Sequence, residues 1–332
     1  MMSRIENPTA VALAEAANAA GYAPSIHNTQ PWRWQVLPDR LALFADRTRQ
    51  LTATDPDGRM LDISCGAALQ HARLALAAVG WNTRVIYLPD PTTPDLLAEL
   101  VVSDRVAPAP ETMRMVQAMR TRHTDRRPVS DEPIPAGVPE ALTRAADGLA
   151  RLHMLTNDQV IDLAGAAHRA AEIEADDPRI RAELAYWTSR SARDGTGLPR
   201  DVLPERPQQT TVPGRDFGMP GTLPIGSGHD RQARYALLYG DEDEPRSWLR
   251  AGAALAAVWL VAVRLGVSVV PLSGVIEVTA TRETLRAILA GIGQPYIVMR
   301  LGMADPAHAG PPHTARMPAS QTVDLSAVSA DV

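Results

Sequence analysis

The chain has 332 residues, 45% of them hydrophobic, and a formal net charge of -5. That length buries a sizeable core, as one large domain or two intimate ones, and the charge leaves no electrostatic footprint for nucleic acid. All 33 basic side chains are arginines, which excludes a Schiff-base or P-loop lysine.

The opening MMSRIENPTA carries charges and no apolar h-region, and the single cysteine, Cys65, cannot form an internal disulfide. Both suit a cytoplasmic protein. Residues 9–20 space Ala and Leu along one helical face, and Gly21 and Pro24 end that helix. A polar loop from Ser25 to Gln30 follows, closed by Pro31. Trp32, Trp34 and Val36 then alternate with polar residues at strand period, and both tryptophans read as core. A second strand covers Leu41 to Ala45, so the loop is held between a helix and a hairpin. Asp55-Pro56-Asp57-Gly58 is a turn signal. A helix with few charges spans 61–79 and carries Cys65 as a packing residue. Strands follow at 83–88 and 97–102, then a helix at 111–120, an arginine-rich turn at 120–127 and a helix at 135–147.

Beyond it the pattern predicts a strand at 151–155 and helices at 158–175 and 178–192. Residues 193–232 hold many Pro and Gly residues and no sustained apolar period, a length of irregular chain that is functional or disordered. Then come a strand at 234–239, a helix at 246–265, a strand at 267–271, a helix at 281–290 and a strand at 295–301. The apolar run Ala251 to Val263 is too short to span a bilayer and reads as a buried helix. The tail from Asp305 is Pro-rich and reads as surface. Gly226-Ser227-Gly228 and Gly291-Ile292-Gly293 lack a dinucleotide frame and read as turns. The histidine spacing predicts no metal site, and there is no GxSxG elbow.

The sequence also matches itself. Cys65-Gly66-Ala67-Ala68-Leu69 resembles Ala251-Gly252-Ala253-Ala254-Leu255, and the same spacing takes Leu74 to Leu260 and Gly80 to Gly266. Similar strands precede the copies, RLALFAD at 40–46 and RYALLYGD at 234–241. Either this is chance among abundant Ala and Gly, or two helices pack closely around a pseudo-two-fold axis. The polar loop and the arginine turn each occur once, so a duplicated body would carry one composite site.

Two segments carry candidate chemistry. Arg122-His123-Thr124-Asp125-Arg126-Arg127 offers guanidinium forks and a hydroxyl, suited to a phosphate monoester; the alternative is a solvated basic turn. Pro24-Ser25-Ile26-His27-Asn28-Thr29-Gln30-Pro31 offers amides able to pair with a planar heterocycle; the alternative is an ordinary helix-to-strand connection. His27 reads as a surface or hydrogen-bonding loop residue before a proton donor.

APSIHNTQPWRW resembles the APSxxNxQPWxF segment of the nitroreductase-like flavoprotein family, RHTDR its RxSxR phosphate segment, and Pro271-Leu272-Ser273-Gly274 its Pro-Ile-Glu-Gly turn. The order of segments resembles the Acg-like branch, in which two nitroreductase-like halves are fused. The resemblance implies a three-layer α+β fold duplicated in one chain, with mixed or antiparallel sheets around central helices and FMN at the interface. It divides the chain into halves 1–110 and 111–332, the second carrying a lid-like insertion at 193–232. By position it implies that Arg122, Thr124, Arg126 and a late Arg316 hold the phosphate and ribityl end. Pro24, Ser25, Ile26, Asn28 and Gln30 would reach the flavin from the other half, and Pro271, Leu272, Ser273 and Gly274 would lie by the isoalloxazine. Ser273 stands where the family often has an acid, and Pro128 where it often has an aromatic. The implied activity passes hydride from NADH or NADPH through the flavin to a small nitro- or quinone-like acceptor. An interface buried between the halves is compatible with a monomer or with further association, and charge and hydropathy give no nucleic-acid or membrane partner. The alternatives are an FMN-sequestering protein sealed by its lid, and a cofactor-free dimer mimic.

Overall fold

The computed structural model describes residues 7–208, 210–226, 229–304, 310 and 313–329. The turn at Gly226-Ser227-Gly228, the charged opening residues and the tail from Asp305 therefore lie partly outside the described residues. Helix α1 (Pro8–Ala20) starts with Pro at its first position while the Asn7 side chain accepts from the Thr9 amide, and it buries Ala10, Leu13, Ala16, Ala17 and Ala20. Strands β1 (Trp32–Val36) and β2 (Arg40–Ala45) form the hairpin, with Trp32, Trp34 and Val36 inward. Helix α2 (Arg59–Ala78) follows Gly58, whose φ of 76° suits glycine. Next come β3 (Trp81–Tyr87), β4 (Leu96–Arg105), α3 (Pro110–Thr121), α4 (Val138–Ala146) and β5 (Arg151–Met154). A Thr156–Gln159 capping box opens α5 (Asn157–Asp176), and α6 (Pro178–Thr188) follows. After the irregular segment come β6 (Arg234–Gly240), α7 (Pro245–Arg264), β7 (Val267–Leu272), α8 (Gly274–Glu277), α9 (Thr279–Ile288), β8 (Gln294–Met303), α10 (Ala319–Thr322) and β9 (Val323–Asp324).

Two sheets result, ordered β3-β4-β2-β1-β9 and β5-β6-β8-β7. Read from the other edge, the second is β7-β8-β6-β5, which repeats the first four strands of the first, antiparallel throughout. Helix α2 packs on the first sheet, α7 on the second, and the two helices face each other between the sheets. The helix bounds 59–78 and 245–264 differ by the spacing of the sequence self-match at both ends, and so do the starts of β3 and β7. The fold is the three-layer, pseudo-dimeric α+β body that the resemblance implied.

The contact between α2 and α7 is reciprocal. A β-carbon on Gly66 would lie 1.9 Å from the Leu249 carbonyl oxygen, and one on Gly252 would lie 1.9 Å from that of Ile63. Ile63 and Leu249 are themselves a matched pair in the repeat, so each helix offers its glycine to the other's carbonyl. The apolar cores interlock through this seam: Met60 and Ile63 of α2 sit in the core of the second sheet, and Leu249 and Ala256 of α7 in that of the first. Helix α7 is long and apolar enough to cross a membrane, but it is a core helix here, mostly buried against α2, α4 and the second sheet.

One element departs from the expected division into 1–110 and 111–332. Strand β9 returns from the C-terminal side to pair in parallel with β1, Trp34 opposite Val323 and Gln35 opposite Asp324. Its two residues, like the single turn of α10, are too short to announce themselves by periodicity. Helix 178–192 also ends earlier, at Thr188, where the chain turns into the irregular segment.

Gly66→Ala and Gly252→Ala should each lower the melting temperature sharply or prevent soluble expression, since no rotamer relieves a β-carbon overlapping a backbone carbonyl. Gly165→Ala, in α5 with open space around it, should raise stability by about 0.5–1 kcal/mol in a chemical denaturation curve.

Candidate functional site

A cavity of about 560 Å³ opens where the two units meet, within the roughly 300–1,000 Å³ range of small-molecule and cofactor sites. Its floor is Met60, Ile63 and Ser64 of α2 and Leu255 and Trp259 of α7. Its walls come from residues 24–28, the turn 122–126, the end of β7 at 271–274, the irregular segment between 198 and 220, and residues 313–316. Of the residues singled out in sequence, Pro24, Ser25, Ile26, Asn28, Arg122, Thr124, Arg126, Pro271, Leu272, Ser273, Gly274 and Arg316 all line this one cavity.

Gln30 does not. It is buried beneath the loop, where its Nε2 donates to the Gly195 carbonyl at 2.7 Å and its Oε1 accepts from the Met317 amide at 3.0 Å. Asn28 lines the cavity, yet its amide is also committed inside the protein: Nδ2 donates to the carbonyls of Gly197 (3.1 Å) and Ala315 (3.0 Å), and Oδ1 accepts from Gln30. The two amides that suggested recognition of a heterocycle edge are therefore clasps, tying the loop to the irregular segment and the C-terminal tail. The clasp is needed because His27, Asn28 and Gln30 all have left-handed φ, at 44°, 56° and 51°. Such strain costs on the order of 1–3 kcal/mol per residue and persists only where the surroundings over-determine it. Ser25 Oγ accepts from the Gln30 amide and Ser64 Oγ from that of Ile26, completing the hold.

The arginine turn is equally organised. Arg300, an arginine in the otherwise apolar strand β8, donates to the backbone carbonyls of Asp125 (3.1 Å) and Arg127 (2.7 Å) and to Asp230 Oδ2 (2.7 Å). Asp230 in turn accepts from the Val129 amide, and Asp125 pairs with Arg127. These bonds occupy the acids of the turn and leave Arg122 and Arg126 facing the cavity. Arg122 is 5% exposed and its guanidinium stacks 4.5 Å over the Trp259 ring. Burial, together with the like charge of Arg316, pulls it down to about 9, and burial pulls Arg316 down to about 10. Among the described residues neither forms a salt bridge, and the Nε of each, like the Trp259 indole Nε1, is sealed from solvent without a partner. Arg316 Nη1 donates to Thr314 and Ala315, but these partners are uncharged, and two desolvated cations that repel one another, each with an orphaned Nε, are complementary to an anion and fit a phosphate monoester. Arg126, pulled down to about 10 chiefly by burial, donates to the Val202 carbonyl and lies 5.4 Å over the Phe217 ring.

Another part of the cavity wall is held by an ion cluster that no sequence motif announced. Arg215, from the irregular segment, donates to both Glu277 carboxylate oxygens (2.9 and 2.7 Å), to Glu174 Oε1 (2.8 Å) and to Ser273 Oγ (3.3 Å). Burial opposes its charge, but the two glutamates outweigh that and raise it. Ser273, standing where an acid was expected, accepts from the same Arg215 that pairs with Glu277. A β-carbon on Gly274 would come within 3.0 Å of Glu174 Oε1, a close contact with a side chain already held by Arg215. The irregular segment also carries a small core of Leu198, Val202 and Leu203 with Phe217 against it. Arg215, Phe217, Trp259 and Arg300 were missed in sequence. Only Arg300 left a signal, a lone charge in an apolar strand.

Fold and cavity together define a duplicated α+β protein with one composite pocket built to hold an anion. A Mycobacterium tuberculosis protein provisionally named NAD(P)H nitroreductase Rv3131 is 37% identical over 91% of this chain and 88% of its own length. The M. tuberculosis protein provisionally named NAD(P)H nitroreductase acg is 32% identical over 94% of this chain and 95% of its own. The chain belongs to this family of nitroreductase-like proteins. No protein-family model matches it. Among solved structures, the FMN-dependent nitroreductase NfnB of Mycobacterium smegmatis, in complex with NADPH, aligns at a TM-score of 0.41 and 16% identity, covering 65% of this chain and 99% of its own.

Burial, and then repulsion from Glu277 set against attraction to Arg215, hold the Glu174 carboxyl up at about 7, against an ordinary 4.5. Between those values the folded state binds more protons than the unfolded chain, so this site's contribution to stability falls as pH rises through that window. Glu174→Gln should gain on the wild type between pH 5 and pH 8 by on the order of 2 kcal/mol, read as a widening difference in melting temperature.

Proposed function

We propose that this chain is an FMN-dependent oxidoreductase that takes electrons from NADH or NADPH and delivers them to a small nitro- or quinone-like acceptor. The observation that carries the reading is the pair of desolvated arginines, Arg122 and Arg316, without acidic partners at one end of a cavity whose floor is apolar. Arg122, Arg316 and Thr124 would hold the phosphate, Arg126 would lie along the ribityl chain, and Pro24, Ser25 and Ile26 would flank the ring opposite Pro271, Leu272, Ser273 and Gly274. Bound there, FMN would supply two-electron transfer between the nicotinamide and the acceptor.

The chain's own contribution is position and electrostatics. Arg126 and Arg122 remain cationic at neutral pH despite burial and favour negative charge in the cavity. Leu198, Val202, Leu203 and Phe217 exclude water from one wall. In this reading residues 193–232 act as a lid. The Arg215 cluster ties that lid to α5 and α8, which also favours a second reading, in which the protein sequesters FMN without turnover.

The purified protein should show a visible flavin band, bleached anaerobically by NADH or NADPH; a flavin-loaded protein that neither nicotinamide bleaches excludes the oxidoreductase. Arg122→Ala should raise the Kd for FMN by ten- to a hundredfold or so, for the loss of one charge-assisted bond of about 1.5–3 kcal/mol, with little effect on riboflavin. Equal losses for both flavins would remove the phosphate from Arg122. Arg215→Ala should speed FMN release from the loaded protein; unchanged release would show that the cluster does not retain the cofactor.

A further inference from the structure

His27 lies in the cavity wall but has no part in the phosphate end or in the clasp below it. Its ring is 7% exposed, and its Nε2 is sealed from solvent with no hydrogen-bond partner. Leaving a buried polar group unpaired costs about 1–3 kcal/mol, and the left-handed backbone at the same residue (φ 44°) adds strain. An apolar side chain would avoid the first cost, and glycine the second. Two costs on one residue facing a cavity point to a partner that arrives from outside the chain.

The surroundings narrow that partner. The edge of the imidazole meets Phe217, with ring centroids 5.9 Å apart and planes at 78°, and Arg126 covers the same Phe217 ring. Burial, and then the charges of Arg215 and Arg126, keep the imidazole unprotonated. A neutral ring beside two cations offers one N–H and one lone pair and does not serve as an acid, since its loss of a proton would leave imidazolate. Of the carboxylates that line the cavity, Glu174 is engaged by Arg215. A site with an aromatic wall, nearby positive charge and one neutral donor suits a planar, electron-poor aromatic molecule bearing oxygen atoms.

We propose that His27 is the acceptor-binding residue of this site, its imidazole N–H donating to a nitro or carbonyl oxygen of an aromatic acceptor seated against Phe217. The inference rests on the oxidoreductase reading above and adds the residue that selects the acceptor. The lid segment then builds the seat, through Phe217, as well as covering it.

The test uses FMN-loaded protein reduced anaerobically with dithionite, so that it does not depend on a nicotinamide. Reoxidation by nitrofurazone and by 1,4-naphthoquinone is followed by stopped flow across acceptor concentrations. His27→Phe keeps a ring against Phe217 but removes the N–H. It should raise the half-saturating acceptor concentration about tenfold, the worth of one hydrogen bond of roughly 1.4 kcal/mol, while the Kd for FMN stays within about twofold. His27→Asn restores a donor and tolerates left-handed φ, and should recover most of the loss. Unchanged half-saturation in His27→Phe overturns the proposal, as does a parallel loss of FMN affinity, which would assign His27 to the cofactor. A wild-type rate that never saturates with either acceptor also overturns it. Failure of both nicotinamides to bleach the wild-type flavin strikes the oxidoreductase reading alone.

Discussion

Helices α2 and α7 can lie backbone to backbone only because neither Gly66 nor Gly252 carries a β-carbon, and every other feature of the molecule follows from that approach. Each glycine faces the carbonyl of the residue three positions before its counterpart, so the contact is self-complementary, as at a dimer interface with two-fold symmetry. The peptide linkage makes it intramolecular and fixes the relative placement of the two sheets. The cavity is the space left beside this seam, with Met60, Ile63 and Ser64 from one helix and Leu255 and Trp259 from the other as its floor.

Symmetry in the scaffold and asymmetry in the walls together yield a single site. The strained loop at 24–31, the arginine turn and the end of β7 come from separate stretches of the chain, and each is held by polar bonds within the protein. Asn28 and Gln30 tether the loop, Arg300 and Asp230 tether the turn, and Arg215 with its two glutamates tethers the irregular segment. This division leaves Arg122, Arg126 and Arg316 without a salt bridge among the described residues, and the His27 Nε2 without a hydrogen-bond partner. A site for a charged ligand needs such residues, and they are stable only where the rest of the shell is satisfied.

Most regular elements were legible because they are long and strongly periodic: α2, α7, the β1–β2 hairpin and β8 fall within a few residues of their expected bounds. The exceptions are short or irregular. Strand β9 has two residues, α8 and α10 four each, and their existence depends on what they pack against. The loop and the arginine turn were legible as places where chemistry would gather, but the use made of each side chain was not. The amide of Gln30 turns inward in structure, and that of Asn28, though in the cavity wall, is bonded within the protein. Arg215 and Phe217, in a stretch without pattern, became part of the site.

The sequence by itself determined the long helices and strands, the self-match between the segments of α2 and α7, and the solitary loop and arginine turn. It could do so because periodicity, glycine placement and charge type act locally along the chain. Only the tertiary structure decided which polar groups remain without partners: Arg300 is 173 residues from the Arg127 carbonyl it supports, and Met317 is 287 from Gln30. A hydrogen bond acts over about 3 Å of space whatever the separation along the chain, so the free donors that define this site appear only once the chain has folded.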